Sequence, residues 1–161
     1  MRKSALHALP AVIVGCGALF LSLAGCNRAP SAPPKTLELS ADDKMKFSTT
    51  ALEAVPGQQV TVTLSNKGTS PKASMGHNFV LLNKGVNWNQ FVENASMDAA
   101  HDYVPPASAR DVIAHTKLLG PGESDSVTFT APYVPGDYDF ACTFPGHATQ
   151  GMKGTFTVKA Q

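Results

Sequence analysis

The sequence predicts an all-β domain, a sandwich or barrel of short strands, on three observations. Apolar and polar residues alternate with a period of two: Val60, Val62 and Leu64 against Thr61, Thr63 and Ser65, and later Val127 and Phe129 against Ser126, Thr128 and Thr130. Turn signals punctuate these runs at Pro56-Gly57, Asn66-Lys67-Gly68, Gly120-Pro121-Gly122 and Pro135-Gly136. Helical spacing is confined to one stretch between Asn87 and Ala109.

The amino terminus reads as a leader. Arg2 and Lys3 precede an apolar run from Ala11 to Leu23, too short for a comfortable membrane span and suited to secretion. The run ends Leu23-Ala24-Gly25-Cys26, which resembles the lipobox of bacterial lipoproteins. That resemblance implies a signal peptide over 1–25 and lipidation of Cys26, the plain alternative being an ordinary leader with a chance cysteine. Residues 26–35 then form a tether, because Asn27-Arg28-Ala29-Pro30-Ser31-Ala32-Pro33-Pro34-Lys35 is too rich in proline to join a ladder or a helix interior.

The folded part, 36–161, shows the period-two pattern from Leu37 onward. Runs around Met45–Phe47, Val60–Leu64, His77–Leu82, Val112–Leu118, Ser126–Thr130, Tyr138–Cys142 and Thr155–Lys159 are the predicted strands, seven or eight in all. Trp88, Phe91, Val92 and Ala95, behind a possible Asn87 cap, form a short helix in a long insertion. Pro105-Pro106 is expected to end regular structure there.

Composition bounds the function. The chain has 161 residues, 43% hydrophobic and 16% charged, with a formal net charge of +1. That is one globular domain rather than a disordered chain or a nucleic-acid binder. Arg2 and Lys3 belong to the leader while all 12 acids lie beyond it, so the mature domain is near neutral. Of the three cysteines, Cys16 goes with the leader and Cys26 to lipid, which leaves Cys142 without a disulfide partner. A lone thiol in an oxidising compartment calls for metal ligation, catalysis or complete burial.

Metal ligation is favoured by what surrounds it. Cys142-Thr143-Phe144-Pro145-Gly146-His147 and Met152 place a thiol, an imidazole and a thioether on one strand-to-strand loop. His77 shares strand parity with Phe79 and Leu81, and Cys142 with Tyr138 and Phe140, so both can point inward at one end of the domain. Each residue alone has a duller role as a buried small hydrophobe, a strand histidine or a core methionine. Together, two histidines and a cysteine with a weak methionine donor describe a blue-copper electron-transfer centre holding one copper ion as Cu(II)/Cu(I). No second thiol is present for the usual zinc sites.

Met75-Gly76-His77-Asn78, the Val112–Leu118 segment, Asp125-Ser126-Val127-Thr128-Phe129, Cys142–His147 and Met152-Lys153-Gly154-Thr155 closely resemble the azurins of the cupredoxin family, over roughly residues 36–159. The resemblance implies a Greek-key β-sandwich of eight strands with a helical flap, and copper held by His77, Cys142 and His147. It places Met152 axially, with the Gly76 carbonyl a second, distant axial group. It also implies that Asn78 hydrogen-bonds the chain near the cysteine, and that electrons leave through His147 within an apolar patch of Met75, Phe144 and Pro145, with Met97 nearby. The implied partners are redox proteins such as c-type cytochromes or copper and haem reductases. His115 is implied to be a surface histidine, and His101, beside Asp102, is expected to be solvated.

The chain also departs from the azurins. Four residues separate His147 from Met152, one more than in azurins and a spacing like that of auracyanins and plastocyanins. The amino-terminal disulfide is absent, and Phe79 stands where azurins often have tryptophan. The lipobox makes this a relative resembling the lipid-modified azurins: periplasmic, anchored to a membrane by lipid. The outer membrane is favoured by lipoprotein rules because Asn27, not aspartate, follows Cys26.

Among rival functions, multicopper oxidases and copper nitrite reductases need further histidines. A Cys142–His147 hydrolase lacks an evident oxyanion-hole motif or orienting acid. The expected protein is therefore not an enzyme, and the stronger alternative is periplasmic copper storage or delivery, which uses the same ligands.

Overall fold

Alternating burial in β4 (Gln59–Asn66) turns Val60, Val62, Leu64 and Asn66 to the interior and leaves the threonines between them half-exposed. In this computed structural model, which describes residues 32–160, β4 is the centre of the first of two sheets. It pairs in parallel with β1 (Lys35–Asp42) and antiparallel with β7 (Ser124–Thr130), while β2 (Lys46–Phe47) closes the far edge in the order β2-β1-β4-β7. The second sheet runs β3-β9-β8-β5-β6, comprising Ala51–Ala54, Lys153–Val158, Gly136–Ala141, Val80–Leu82 and Val112–His115. The architecture is a β-sandwich, one of the two forms that the alternation predicts, with nine strands among the described residues where seven or eight were expected. The core between the sheets holds Val60, Val62, Leu64, Phe79, Phe140 and Phe156, with Phe140 packed against the rings of Phe47 and Phe79 at 5.5 and 5.3 Å.

Several elements differ from the sequence reading. The predicted strand from His77 becomes β5 only at Val80, and His77 itself makes an isolated bridge to Leu119. Likewise the Val112–Leu118 run leaves the ladder after His115, where the Thr116 hydroxyl accepts the Phe79 amide at 3.0 Å in place of a backbone partner. Strand β1 carries the alternation that begins at Leu37, whereas β3 is nearly unsignalled, being four residues of ordinary composition that pair in parallel with β9. A four-residue helix, α1 (Lys72–Met75), precedes Gly76.

The flap helix is α2 (Trp88–Ala95), and Asn87 caps it by accepting the Gln90 amide at 3.2 Å. Phe91, Val92 and Ala95 cover Val80, Leu82 and Ala141 in a second apolar cluster. That cover explains why β5 reads as a continuous apolar run: Leu81 faces the main core, while Val80 and Leu82 face the flap. Pro105-Pro106 does not end regular structure, since Pro106–Asp111 is a 3₁₀ segment that opens on Pro106. Proline's fixed φ and missing amide cost nothing in a first turn.

The leader, the Leu23–Cys26 lipobox and the tether up to Ser31 lie outside the described residues. Within the expected tether, Lys35 already belongs to β1, and the Pro33 carbonyl accepts the Gln58 side-chain amide at 2.7 Å. The chain thus enters the fold beside the start of β4, whereas the loops around His77 and Cys142 lie at the other end, where β4 finishes at Asn66 and the Asn66 amide reaches the Leu119 carbonyl.

Gly154, opposite Phe140 on β8, tests this packing. A Cβ there would run into both the Phe140 ring and the Thr50 backbone carbonyl, and its φ is not in the left-handed region. Gly154→Ala is therefore expected to destabilise the domain by about 1–3 kcal/mol through overpacking. Urea unfolding checks this, and an unchanged midpoint would show that the two sheets have slack at this position.

Candidate metal centre

Four segments converge at the end of the sandwich where β4 finishes. His77 is fixed by its two-way backbone bridge to Leu119, at 3.1 and 2.8 Å, directly after Gly76. Gly76 has ordinary extended dihedrals, but a Cβ on it would collide with the Lys72 carbonyl and the Leu118 side chain at 2.8–2.9 Å. Only glycine lets the backbone pass between the Lys72 carbonyl and Leu118 here. Cys142 follows the last residue of β8, and its amide donates to the Met152 carbonyl at 3.0 Å. His147 and Met152 flank a compact turn and are joined by the Met152 amide donating to the His147 carbonyl at 3.0 Å.

The donor atoms of His77, Cys142 and His147 all lie within 4.8 Å of one another, and all three residues are buried. Cys142 Sγ is 3.5 Å from His147 Nδ1, and the two imidazole rings are 4.9 Å apart. Met152 is fully buried in the same core cluster as Cys142. Neither ring nitrogen of His77 has a hydrogen-bond partner of good geometry. A buried imidazole without a well-aligned partner is costly unless something binds it, so His77 fits a metal better than a structural hydrogen bond.

Electrostatics agree. Burial pushes the Cys142 thiol up to about 12, against the opposing effect of the Asn78 and Phe144 backbone amides that donate to it. Burial, and then repulsion from His77, holds the His147 imidazole down at about 4. Burial also lowers His77, opposed by the nearby Asp42 backbone and the Asp43 and Asp42 carboxylates. Both imidazoles are thus neutral at pH 7 and ready to donate lone pairs, while the thiol keeps its proton until a cation displaces it.

Asn78 locks the ligand segments together. Its carbonyl accepts the Thr143 amide at 2.8 Å, and its amide donates to the Thr143 hydroxyl at 2.8 Å and the Asp102 carbonyl at 3.0 Å. It therefore holds the residue after His77 to the residue after Cys142. Asp102 and Tyr103, which sequence reasoning did not single out, have left-handed backbones, with φ of 52° and 61°. Their turn brings the Asp102 carboxylate to the Leu118 amide at 3.2 Å and the Tyr103 ring edge-on to Phe144 at 5.1 Å. No local signal marks them, because paired left-handed residues without glycine are set by their surroundings.

The surface differs from an exposed apolar patch centred on the histidine. His147 is 2% exposed and stacks on Phe144, 4.6 Å away, which is itself only 8% exposed. Pro145 and Gly146 are exposed and Met75 is half-buried. Met97 is 86% exposed. A groove of about 340 Å³ runs between Phe144, Gly146 and Ala148 on the ligand loop and Val92 and Ser96 on the flap. His101 pairs with Asp98 at 2.8 Å, and His115 is an exposed strand residue facing the Thr116 carbonyl, so neither joins the ligand set.

Comparison with known proteins identifies the ion. The family described as copper binding proteins, plastocyanin/azurin family, matches residues 35–159. Azurin from Pseudomonas aeruginosa is 43% identical over 136 residues, covering 80% of this chain and 90% of that protein. Outer membrane protein H.8 from Neisseria gonorrhoeae is 43% identical over 122 residues, covering 74% of this chain, which spans 65% of that protein's length. Among solved structures, dithionite-reduced auracyanin from Roseiflexus castenholzii superposes with a TM-score of 0.68 at 33% identity, over 81% of this chain and 99% of that one. The buried thiol and imidazoles supply the soft donors that copper prefers. The chain is an azurin-like cupredoxin: it belongs to the plastocyanin/azurin family of copper-binding proteins, with one copper ion as its cofactor.

Proposed function

We propose that the chain is a blue-copper electron carrier that passes single electrons between redox partner proteins in the periplasm, held to a membrane by lipid on Cys26. Copper would be held by His77, Cys142 and His147, with Met152 as the weak axial donor and the Gly76 carbonyl as a second, distant one. When bound, copper supplies the one-electron Cu(II)/Cu(I) couple.

The observation that carries this reading is the enclosure of the ligands. Cys142, His77 and Met152 have no exposed surface, and the most accessible donor, His147, lies behind Phe144. Such a centre admits an electron far more readily than a substrate. Handing copper itself to an acceptor would require this end to open, so enclosure also favours electron transfer over storage or delivery. The Asn78–Thr143–Asp102 network resists ligand movement, which keeps reorganisation small when the charge on the metal changes.

Transfer is proposed through His147, with Met75 and Pro145 forming the partner contact, the buried Phe144 ring packed on His147, and c-type cytochromes or copper and haem reductases as the partner class. The half-buried Met75 and exposed Pro145 present a small apolar area, suited to brief docking rather than stable association. The name of the Neisseria relative, outer membrane protein H.8, supports the membrane assignment together with Leu23-Ala24-Gly25-Cys26. Because the chain enters the fold at the end away from the ligand loops, an anchor there leaves those loops free to meet a partner.

The visible and electron paramagnetic resonance spectra of the copper-loaded protein test the assignment. Cys142→Ser is expected to abolish the intense blue band, because the charge-transfer transition needs the thiolate. Met152→Leu is expected to keep a blue site with a raised potential, since a weak axial sulfur tunes the centre without defining it. A blue band that survives in Cys142→Ser would overturn the ligand set.

Proton release gives an independent check. With the Cys142 thiol at about 12 and the His147 imidazole at about 4, the metal-free site holds its thiol proton at pH 7 and no imidazolium proton on His147. Copper(II) binding at pH 7 should therefore release about one proton per ion, and apparent affinity should rise roughly tenfold per pH unit through the neutral range. Below the lowered histidine values, protons compete at the imidazoles too and the slope steepens. Calorimetry in buffers of different ionisation enthalpy measures the count, and a value near zero would mean the thiol is already ionised.

For the anchor, the wild-type precursor expressed in a bacterial host should carry fatty acid and enter the detergent phase on phase separation. Cys26→Ser should abolish both. A wild-type protein found only in the aqueous phase would reject lipidation.

A further inference from the structure

The turn that carries His147 to Met152 is held from outside by a residue of the opposite sheet. Within it, the Gln150 amide donates to the Gly146 and His147 carbonyls, both at 3.1 Å, and the Gly151 amide to the Ala148 carbonyl at 3.0 Å. The Thr149 hydroxyl donates to the Gly146 carbonyl at 2.8 Å, so the turn satisfies most of its own polar groups. The Gln150 carbonyl is instead taken by the Lys46 ammonium at 2.7 Å. Lys46 lies in β2, and its neighbour Phe47 is buried against Phe140, which fixes the base of the lysine side chain.

A second observation concerns Gly151. Its φ is +94°, and a Cβ there would come within 2.8 Å of Lys46 Nζ. The ammonium thus rests directly over the glycine that turns the chain into β9, immediately before Met152. Gly151 is the last of the four residues between His147 and Met152.

We propose that Lys46 is a positioning residue for the copper centre: by clasping the Gln150 carbonyl over Gly151, it fixes the point from which Met152 enters the site. A strong equatorial ligand is located by its own bond, but a weak axial one is located by the backbone that presents it. That backbone is tied inward by the Cys142 amide on the Met152 carbonyl and outward by Lys46. The inference rests on the reading of Met152 as axial donor. A rival effect of the same cation is purely electrostatic, since a positive charge near the site favours Cu(I) whatever the loop does.

The test compares the copper-loaded full-length chain with Lys46→Met, Lys46→Arg and Met152→Leu, by visible absorption, electron paramagnetic resonance and reduction potential. Hydrogen exchange at the Gly151 and Met152 amides of the metal-free chains is measured alongside. Lys46 is exposed, so its replacement leaves the core intact. Lys46→Met is expected to move the resonance toward a more axial signal, in the same direction as Met152→Leu, and to speed exchange at the two amides by roughly three- to tenfold. Lys46→Arg is expected to retain the wild-type spectrum. The proposal is overturned if Lys46→Met keeps the wild-type spectrum while Met152→Leu changes it. A change in potential alone, with the spectrum intact, overturns it in favour of the bare charge. A spectrum unmoved by Met152→Leu rejects the axial reading beneath it.

Discussion

A thiol and two imidazoles must stay dry, close together and free of competing hydrogen bonds if one soft ion is to occupy the space between them. The rest of this fold follows from that demand. The arrangement is costly in itself: neither ring nitrogen of His77 has a hydrogen-bond partner of good geometry, and burial drives the Cys142 thiol up and the His147 imidazole down. No single loop could hold such groups against that cost. The site is therefore built where a rigid sandwich lets several segments be fixed from both sheets.

Fixation works by tying segments to one another rather than by stiffening each alone. Asn78 joins the His77 segment to the Cys142 segment and to the end of the flap through Thr143 and the Asp102 carbonyl. Asp102 also reaches the Leu118 amide, next to Leu119, whose backbone bridges His77. The left-handed pair at Asp102 and Tyr103 is the strained element of this arrangement, and it is held because several partners over-determine it. The flap thus buries the outer face of β5 through Phe91, Val92 and Ala95, and its far end braces the ligand segments.

The same enclosure shapes function. His147 is 2% exposed and packs on the Phe144 ring, next to the exposed Pro145-Gly146 turn. Electron transfer tolerates this burial, whereas bond-making with a substrate does not. Azurins and auracyanins are among its relatives, and in this chain the turn that ends at Met152 closes on Gly151 with the Lys46 ammonium on the Gln150 carbonyl.

Much of this was legible in the sequence, for identifiable reasons. Period-two alternation located β4 and β7 because each shows one face to the core, and Asn87 announced the flap helix because an N-cap is a local interaction. The ligand candidates His77, Cys142, His147 and Met152 could be named by their conjunction, a thiol, an imidazole and a thioether on one loop with His77 on an inward parity, since each alone has duller uses. What the sequence could not decide were contacts between residues far apart along it. Strands β1 and β3 owe their ladders to distant parallel partners, and the bridge at His77 replaces a strand because Thr116 supplies a side-chain acceptor to Phe79. Lys46 meets Gln150 across a separation of 104 residues, and Asp102 meets Asn78 across 24. Periodicity and capping report on neighbours in the chain. Which lysine covers a glycine, and which carbonyl receives an asparagine, is settled only when two sheets and a flap are packed together.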